Sequence, residues 1–387
     1  TYKGEDPIIT YYLGYIHSEF GNKDEAIKLF KKAQALPTDY SFPYRLETVK
    51  VLNKALEHNP NDGKANYYLG NILYNKQPEK AIEYWGSAVK NEPDLAMAYR
   101  NLGWGYYRHY KDVSKAIPYY EKAIELDNHD AILFTELDNL YELNNSSIKT
   151  RLKLFEGNEE AVNNRDDAFV RQIMVFTSAG KPEKSVALLK GKAFSYREGS
   201  SRVREVIIDA QLALGLKYMA KKEYQKALDH FLMAQVPDEE AGSARSGNRD
   251  VQVNYFIARA YDALNNKGMA KEFYNLAINE ETSKRSGIMN YYKGLSFLRL
   301  NNKTEANRIF NELIEEGDKI LNANNDVADG FFAIFGEKES EDIKESRAYT
   351  LRGLGYKGLG QLAKAKEDLT KAVELSVSNL WANTELD

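Results

Sequence analysis

The segment from Ala65 to Asp94, ANYYLGNILYNKQPEKAIEYWGSAVKNEPD, contains two amphipathic helical patterns separated by a short polar break. Ala81, Trp85 and Ala88 in the second pattern are spaced by four and three residues, which places them on one face of a helix. Gly70 lies in the first pattern, eleven residues before Ala81. Small residues at these positions let two antiparallel helices approach closely, while the aromatic ring fills the gap between neighbouring units. The segment therefore predicts a two-helix unit.

The same small-large-small triplet occurs seven times, and each copy follows a small residue at a distance of 11 to 13 positions. The triplets are Ala26-Phe30-Ala33, Ala81-Trp85-Ala88, Ala116-Tyr120-Ala123, Ala227-Phe231-Ala234, Ala270-Tyr274-Ala277, Ala306-Phe310-Leu313 and Ala365-Leu369-Ala372. The small residues before them are Gly14, Gly70, Gly103, Gly215, Ala258, Gly294 and Gly353. Where the array is regular, neighbouring triplets are 35 or 36 residues apart. This self-similarity predicts a repeat protein in which each unit packs on its neighbours.

The repeated pattern resembles the tetratricopeptide repeat, in which a Leu-Gly pair precedes an alanine, an aromatic residue and a second alanine. Residues 65–94 carry these letters together with Pro93. Residues 98–130, AYRNLGWGYYRHYKDVSKAIPYYEKAIELDNHD, carry the same Leu-Gly pair and triplet. The resemblance covers most of the chain and implies an all-α fold, a right-handed superhelical solenoid of about nine or ten antiparallel helix pairs.

Departures from the repeat divide the chain into three expected parts. One irregular repeat has Ala55 and Pro60 in repeat-like places but Thr48 where a small residue belongs. Two degenerate repeats follow later, and Asp138 replaces the glycine of the first of them. The expected parts are an N-terminal array with the irregular repeat at 1–130, the degenerate repeats at 131–200, and a C-terminal array at 201–387 with insertions at 237–250 and 316–345.

The second insertion contains an apolar cluster, GFFAIFG at residues 330–336. Its apolar side chains are Phe331, Phe332, Ile334 and Phe335. This much apolar area within a polar insertion predicts that the cluster folds back on the adjacent repeat or docks on another surface.

The order of several segments is similar to the C-terminal repeat region of a family of large bacterial proteins. The matching segments are FPYRLE at 42–47, YYLGNILYNK at 67–76, NLGWGYY at 101–107 and ELDNLYEL at 136–143. The upstream part of that family is β-rich and includes a galactose-mutarotase-like domain of unknown function. The resemblance implies that the chain is the C-terminal part of a larger protein, that its own upstream β-domain is one candidate partner, and that it is associated with carbohydrate. It carries over no catalytic residue.

Composition argues against several classes of function. The 53 basic and 57 acidic side chains leave a net charge of -4, so no electrostatic signature of nucleic-acid binding stands out. The absence of cysteine removes thiolate chemistry, and no apolar run is long enough for a membrane span. The histidines His17, His58, His109, His129 and His230 lack metal-ligand spacing. We therefore expect no metal, no cofactor, no membrane insertion and no catalysis, while the cellular compartment stays open.

Gly353-Leu354-Gly355-Tyr356-Lys357-Gly358 spells the G-x-G-x-x-G signature of dinucleotide-binding folds. That motif requires a strand before it and a helix after it. Here Gly353 is the small residue of a first repeat helix, and Gly360 lies at the predicted turn. The sequence therefore favours a repeat helix over a nucleotide site. The extra glycines lower its helix propensity, so its stability must come from packing.

The concave groove of such a solenoid, lined by the first helix of each pair, is the expected binding surface. Register within the resembled family places seven residues there: Tyr67, Asn71, Arg100, Asn101, Trp104, Glu136 and Asn139. Amides beside aromatic rings suit an extended peptide or a sugar, while an ordinary helix surface with a partly buried Trp104 is the alternative interpretation. We expect a non-catalytic scaffold that binds a protein or peptide in this groove, with a carbohydrate-binding accessory region of a sugar-processing protein as the second hypothesis.

Some tetratricopeptide domains hold the C-terminal carboxylate of a chaperone with a clamp of lysines and asparagines. Asn71 and Asn101 match the asparagines of that clamp. Tyr67 stands at the first lysine position, and the third repeat offers Ile132 and Glu136. Because the positive charges that would hold two carboxylates are missing, a carboxylate clamp is not favoured.

Overall fold

A computed structural model describes residues 5–194, 202–235, 249–281, 287–323 and 340–386 of the chain. The described residues form α-helices and no strand, as the sequence predicted. They divide into two compact units, Thr1–Leu140 and Tyr141–Asp387. None of the described helices combines the length and the apolar character that crossing a membrane requires. The predicted apolar cluster at 330–336 lies outside the described residues, as does most of the insertion at 237–250.

The first unit is built from helix hairpins. Its helices are α1 (Pro7–Glu19), α2 (Lys23–Ala35), α3 (Glu47–His58), α4 (Gly63–Leu73), α5 (Pro78–Asn91), α6 (Ala96–Arg108), α7 (Val113–Leu126) and the start of α8 (Ala131–Leu143). The pairs α1 and α2, α4 and α5, and α6 and α7 pack as hairpins, whereas the irregular repeat contains the single helix α3. Asp62 caps α4 by accepting from the Ala65 N–H at 2.9 Å, and it also accepts the buried Tyr11 hydroxyl at 2.9 Å.

The second unit contains the end of α8 and the remaining helices. These are α9 (Ile148–Phe155), α10 (Glu159–Val162), α11 (Asp166–Ser178), α12 (Pro182–Leu189), α13 (Arg202–Ala220), α14 (Tyr224–Met233), α15 (Asp250–Ala263), α16 (Lys267–Asn279), α17 (Ile288–Arg299), α18 (Lys303–Asn322), α19 (Glu341–Gly358), α20 (Leu362–Leu375) and α21 (Leu380–Leu386). Five hairpins run from α11 and α12 to α19 and α20. Both ends of the predicted insertion at 316–345 are helical, because α18 continues to Asn322 and α19 begins at Glu341.

Each predicted triplet lies on the second helix of a hairpin, with Ala234 at the C-cap of α14, and all members are buried. In five of these hairpins, a glycine of the first helix faces the aromatic residue of the second. A Cβ atom added to Gly70 would lie 2.3 Å from Trp85 Nε1, and one added to Gly215 would lie 2.3 Å from a carbon of Phe231. Such distances are far inside van der Waals contact, so the two helices can pack this closely only when the first carries no side chain at that position.

The G-x-G-x-x-G segment lies inside α19, without a preceding strand in the described chain, and Gly360 forms the turn with φ +77°. Its glycines make close contacts in two directions. Gly353 faces Leu369 of the same hairpin, whereas a Cβ on Gly355 would lie 2.6 Å from the Phe310 carbonyl oxygen of the preceding one. The expectation that packing stabilises this helix is consistent with these contacts, and the glycines themselves permit the packing.

Gly355→Ala is expected to destabilise the second unit by about 1–3 kcal/mol, because the new methyl group meets backbone that cannot move aside cheaply. In an exposed helix, replacing glycine by alanine ordinarily raises stability, so the expected effect here has the opposite sign. Gly268→Ala in α16 is the matched control, since a Cβ there meets only Asn266 Oδ1 at 3.8 Å. Urea unfolding followed by circular dichroism measures both. A Gly355→Ala chain as stable as the Gly268→Ala chain would contradict the close approach of α18 and α19.

A buried ionic cluster lies at the beginning of the second unit, where it links α8, α9 and α11. Glu142 lies 2.7 Å from Arg171 and 3.6 Å from Arg151, and both arginines are almost completely buried. Burial alone would raise the pKa of Glu142, but the two guanidinium groups outweigh it and lower the pKa to about 2. Ionised Glu142 is therefore favoured in the folded chain relative to the unfolded chain.

Stability from this carboxylate is present above its unfolded pKa and is lost as the pH falls from about 5 towards 2. At roughly 1.4 kcal/mol per pKa unit, the loss for the wild-type chain is about 3 kcal/mol. Glu142→Gln removes this part of the acid dependence, whereas Glu374→Gln, which alters a side chain that is 62% exposed, retains it. The midpoints of urea unfolding are measured for the three chains at pH 5 and at pH 2.5. Equal acid sensitivity of wild type and Glu142→Gln would show that the cluster does not couple to stability.

Candidate polar groove of the first unit

Four of the seven predicted groove residues are joined in one polar ladder across α4, α6 and α8. The Asn101 side-chain amide donates to Asn71 Oδ1 at 2.8 Å, and Arg100 donates to Asn101 Oδ1 at 3.4 Å. Arg100 also makes a bidentate contact with Glu136, at 2.8 and 2.5 Å. Helices from three successive repeats thus share one hydrogen-bonded row, which holds these side chains in fixed positions.

Trp85 extends this row into the core through a contact that the sequence pattern did not indicate. Its indole N–H donates to Asn71 Oδ1 at 2.9 Å, while its ring is buried against Gly70. Trp85 is the one tryptophan among the seven triplets, and only tryptophan offers an N–H donor on a ring of that size. The exceptional residue at a core position was therefore the available signal for a link between the core and the groove.

The charge of Arg100 is compensated within the protein. Burial alone would lower the pKa of Arg100, but the hydrogen bonds and negative charge of Glu136 raise it above its ordinary value. Burial, together with the same carboxylate, raises the pKa of Tyr120. Because Arg100 is engaged by Glu136, it serves the ladder and is less available to a ligand than the sequence analysis expected.

The other three predicted residues differ in accessibility. Tyr67 is only 6% exposed and packs against Tyr68 with ring centroids 5.2 Å apart, so it offers little surface for contact with a ligand. Trp104 is half-buried, with the Arg100 and Arg108 guanidinium carbons 5.8 and 5.3 Å from its ring centroid. Asn139 is exposed. Of the two aromatic residues among the seven, Trp104 is therefore the accessible one.

This arrangement is consistent with the absence of a carboxylate clamp. The two matching asparagines bond to each other, and Glu136 adds negative charge where a clamp needs a cation. Among the described residues, no group of three or more metal-ligating side chains of the His, Cys, Asp and Glu types is close enough to hold an ion. The chemistry of the groove is therefore that of a fixed polar row beside one large aromatic ring.

Comparison with known families identifies the repeats. Sequence models of the tetratricopeptide repeat match residues 73–131 in one form, residues 11–40, 251–281 and 346–377 in a second, and residues 290–316 in a third. These segments are tetratricopeptide repeats. The matched segments contain the triplets at Ala26, Ala81, Ala116, Ala270, Ala306 and Ala365.

Several solved structures are similar to the chain at low identity. The crystal structure of YrrB, described as a TPR protein with an unusual peptide-binding site, is 17% identical over 60% of this chain and 92% of its own, with a TM-score of 0.29. Naa15/Naa10 bound to HypK-THB is 13% identical over 98% of this chain and 65% of its own, with a TM-score of 0.43. The human IFIT1 dimer with m7Gppp-AAAA is 13% identical over 97% of this chain and 91% of its own, with a TM-score of 0.32.

Within the tetratricopeptide array, Arg100→Ala is expected to destabilise the first unit by about 1–3 kcal/mol, because it leaves a half-buried carboxylate without its cation. Arg100→Ala combined with Glu136→Ala should recover part of that loss. A double-mutant cycle in urea separates the coupling energy from the individual changes. If the changes in unfolding free energy of Arg100→Ala and Glu136→Ala add up to that of the double variant, the bidentate contact contributes nothing to stability.

Proposed function

We propose that the chain is a non-catalytic tetratricopeptide scaffold and that the face around Trp104 in the first unit binds a protein segment. The observation that carries the proposal is the polar ladder beside Trp104. It fixes Asn71, Asn101 and Arg100 across neighbouring repeats without help from a ligand. A surface that is already ordered loses little conformational entropy when a ligand binds.

The chemistry of this face suits an extended peptide that offers one apolar or aromatic side chain. Trp104 supplies a large, half-buried ring whose position is restricted by Arg100 and by Tyr107. The ring centroids of Trp104 and Tyr107 are 6.2 Å apart. Asn139 is exposed on α8 and can exchange hydrogen bonds with a peptide backbone. We assign the contact energy mainly to Trp104, because tryptophan is enriched among the residues that dominate interfaces.

The proposal also includes the relation to large bacterial proteins. The chain is then the C-terminal repeat region of a longer protein whose upstream β-domain is one candidate partner. Carbohydrate binding is the second candidate function, since an aromatic ring beside amide groups is also a common way to hold a sugar. The ladder favours the peptide, because its amide oxygens already accept hydrogen bonds from the protein itself.

Peptide binding is tested by selecting, from a displayed library of random peptides, those that bind the full chain. Selected peptides should lose about tenfold or more in affinity for Trp104→Ala, in keeping with the roughly 2 kcal/mol or more of an aromatic hot spot. Phe20→Ala is the matched control, because Phe20 is an aromatic residue of the same unit that is 79% exposed at the end of α1. It should leave the affinity unchanged.

Circular dichroism and melting of Trp104→Ala must remain close to those of the wild type for this comparison to apply. Peptides that bind Trp104→Ala and wild type equally well would place the peptide-binding face elsewhere. A glycan array probed with the same chains tests the second candidate function. Glycan binding that Trp104→Ala abolishes, together with no selected peptide, would replace the peptide by a sugar.

A further inference from the structure

The last helix, α21, reaches much further than its place in the chain requires. It follows α20 directly, and in a repeat array each element contacts mainly its sequence neighbours. Besides packing on α20, its side chains contact residues of four hairpins in the second unit, three of which are not adjacent to it in sequence. The partners are Asp209 of α13, Phe256 of α15, Tyr292 of α17 and Lys357 of α19. All four lie on the first helix of a hairpin, so α21 crosses the face that those helices form.

Trp381 is the apolar anchor of α21. It is only 7% exposed, and its indole N–H donates to Asp209 Oδ1 at 2.9 Å. Its ring stacks on Phe256 at an interplanar angle of 27°, with centroids 6.1 Å apart, and lies edge-on to Tyr292. The Arg249 guanidinium carbon lies 5.7 Å from the ring centroid, and a nitrogen of the same guanidinium group donates to Asp209 Oδ1 at 2.6 Å. The pocket therefore offers both stacking surfaces and a charged acceptor for an indole.

Glu385 is the polar anchor, one helical turn beyond Trp381. Its carboxylate accepts the Tyr292 hydroxyl at 2.9 Å and the Tyr291 hydroxyl at 3.3 Å. Lys357 Nζ lies 3.1 Å from the same carboxylate. Two hydroxyl donors and one ammonium group converge on this carboxylate, which is the arrangement that a receptor for an acidic side chain requires.

The segment before α21 joins it to the repeats through a few polar contacts. The Asn379 side chain donates to Ser346 and Thr350 of α19 and accepts from the Ala382 N–H in the first turn of α21. Asn145 bonds to the backbone at Glu374 and Val377. A helix of seven residues is too short to be stable alone, so side-chain anchors and this connection keep α21 folded and in place.

We propose that the face formed by α13, α15, α17 and α19 is a second peptide-binding site, and that α21 is its tethered occupant. The site takes a short helical segment with a tryptophan and, four residues later, a carboxylate. A partner segment with this chemistry displaces α21, which otherwise keeps the site closed. The site belongs to the second unit and uses none of the residues assigned to the Trp104 face, so it goes beyond the function proposed above.

Competition between a free peptide and the tethered helix follows from effective concentration. A short tether holds its ligand at a concentration on the order of millimolar, which a free peptide of the same sequence must overcome. Weakening the tethered copy should therefore expose the site to the free copy. The test uses a fluorescently labelled peptide with the sequence of residues 376–386, SVSNLWANTEL, and the full chain.

Fluorescence anisotropy should show that this peptide binds the Trp381→Ala chain about tenfold or more tightly than the wild-type chain, since the competing anchor is gone. A peptide in which alanine replaces the tryptophan should bind neither chain. Repeating the comparison with Trp104→Ala in both chains removes binding at the first unit, and the higher affinity of the chain that carries Trp381→Ala should persist. Equal affinity for the wild-type and Trp381→Ala chains, or no binding to a folded Trp381→Ala chain, would overturn the proposal.

Trp381→Ala removes a buried ring, so a second variant protects the test against a loss of fold. Glu385→Gln keeps the shape of α21 and removes only the charge that faces Lys357 and the two tyrosines. It should also raise the affinity for the labelled peptide relative to wild type, by a smaller factor than Trp381→Ala. An unchanged affinity in the Glu385→Gln chain would overturn the assignment of its carboxylate as an anchor.

Discussion

The contact of an aromatic ring with a glycine of the facing helix is the constraint on which five hairpins of the described chain depend. It brings Phe30 against Gly14, Trp85 against Gly70, Tyr120 against Gly103 and Phe310 against Gly294. The absence of a Cβ lets the helices approach, and the ring fills the space that remains. Because close packing within each hairpin recurs along the array, the first helices present their other side chains in a regular row. The polar ladder and the site around α21 both use such rows.

The same constraint explains why one residue can serve two roles. Phe310 contacts Gly294 of its own hairpin, and it also contacts Gly358 of the next one, so a single ring links two repeats. Trp85 fills its hairpin in the same way and in addition holds Asn71 through its indole N–H. Packing and polar order are therefore coupled in the first unit. A change at Trp85 would disturb the fold and the candidate groove together, whereas a change at Trp104 tests the groove with less effect on the core.

Charge compensation distinguishes the polar residues that organise the structure from those that can meet a ligand. Arg100 with Glu136, and Glu142 with Arg151 and Arg171, form contacts between opposite charges within one unit. Glu385 likewise balances Lys357, but it sits on a seven-residue helix at the end of the chain. Breaking the first two would leave charges buried inside the fold, while releasing α21 returns Glu385 to water and opens the face beneath it. This difference makes α21 the exchangeable element.

The sequence by itself determined the all-α class, the two-helix repeat and the triplets, because their periodicity comes from contacts within one hairpin and between sequence neighbours. It also assigned Gly353 and Gly360 to a repeat helix and its turn. The tertiary structure decided how far Tyr67 is buried, that Glu136 engages Arg100, and that Trp85 supports Asn71. It alone brought Trp381 to Asp209, 172 positions earlier in the chain. Contacts between residues so distant in sequence have no period to reveal them, since they depend on how successive hairpins stack.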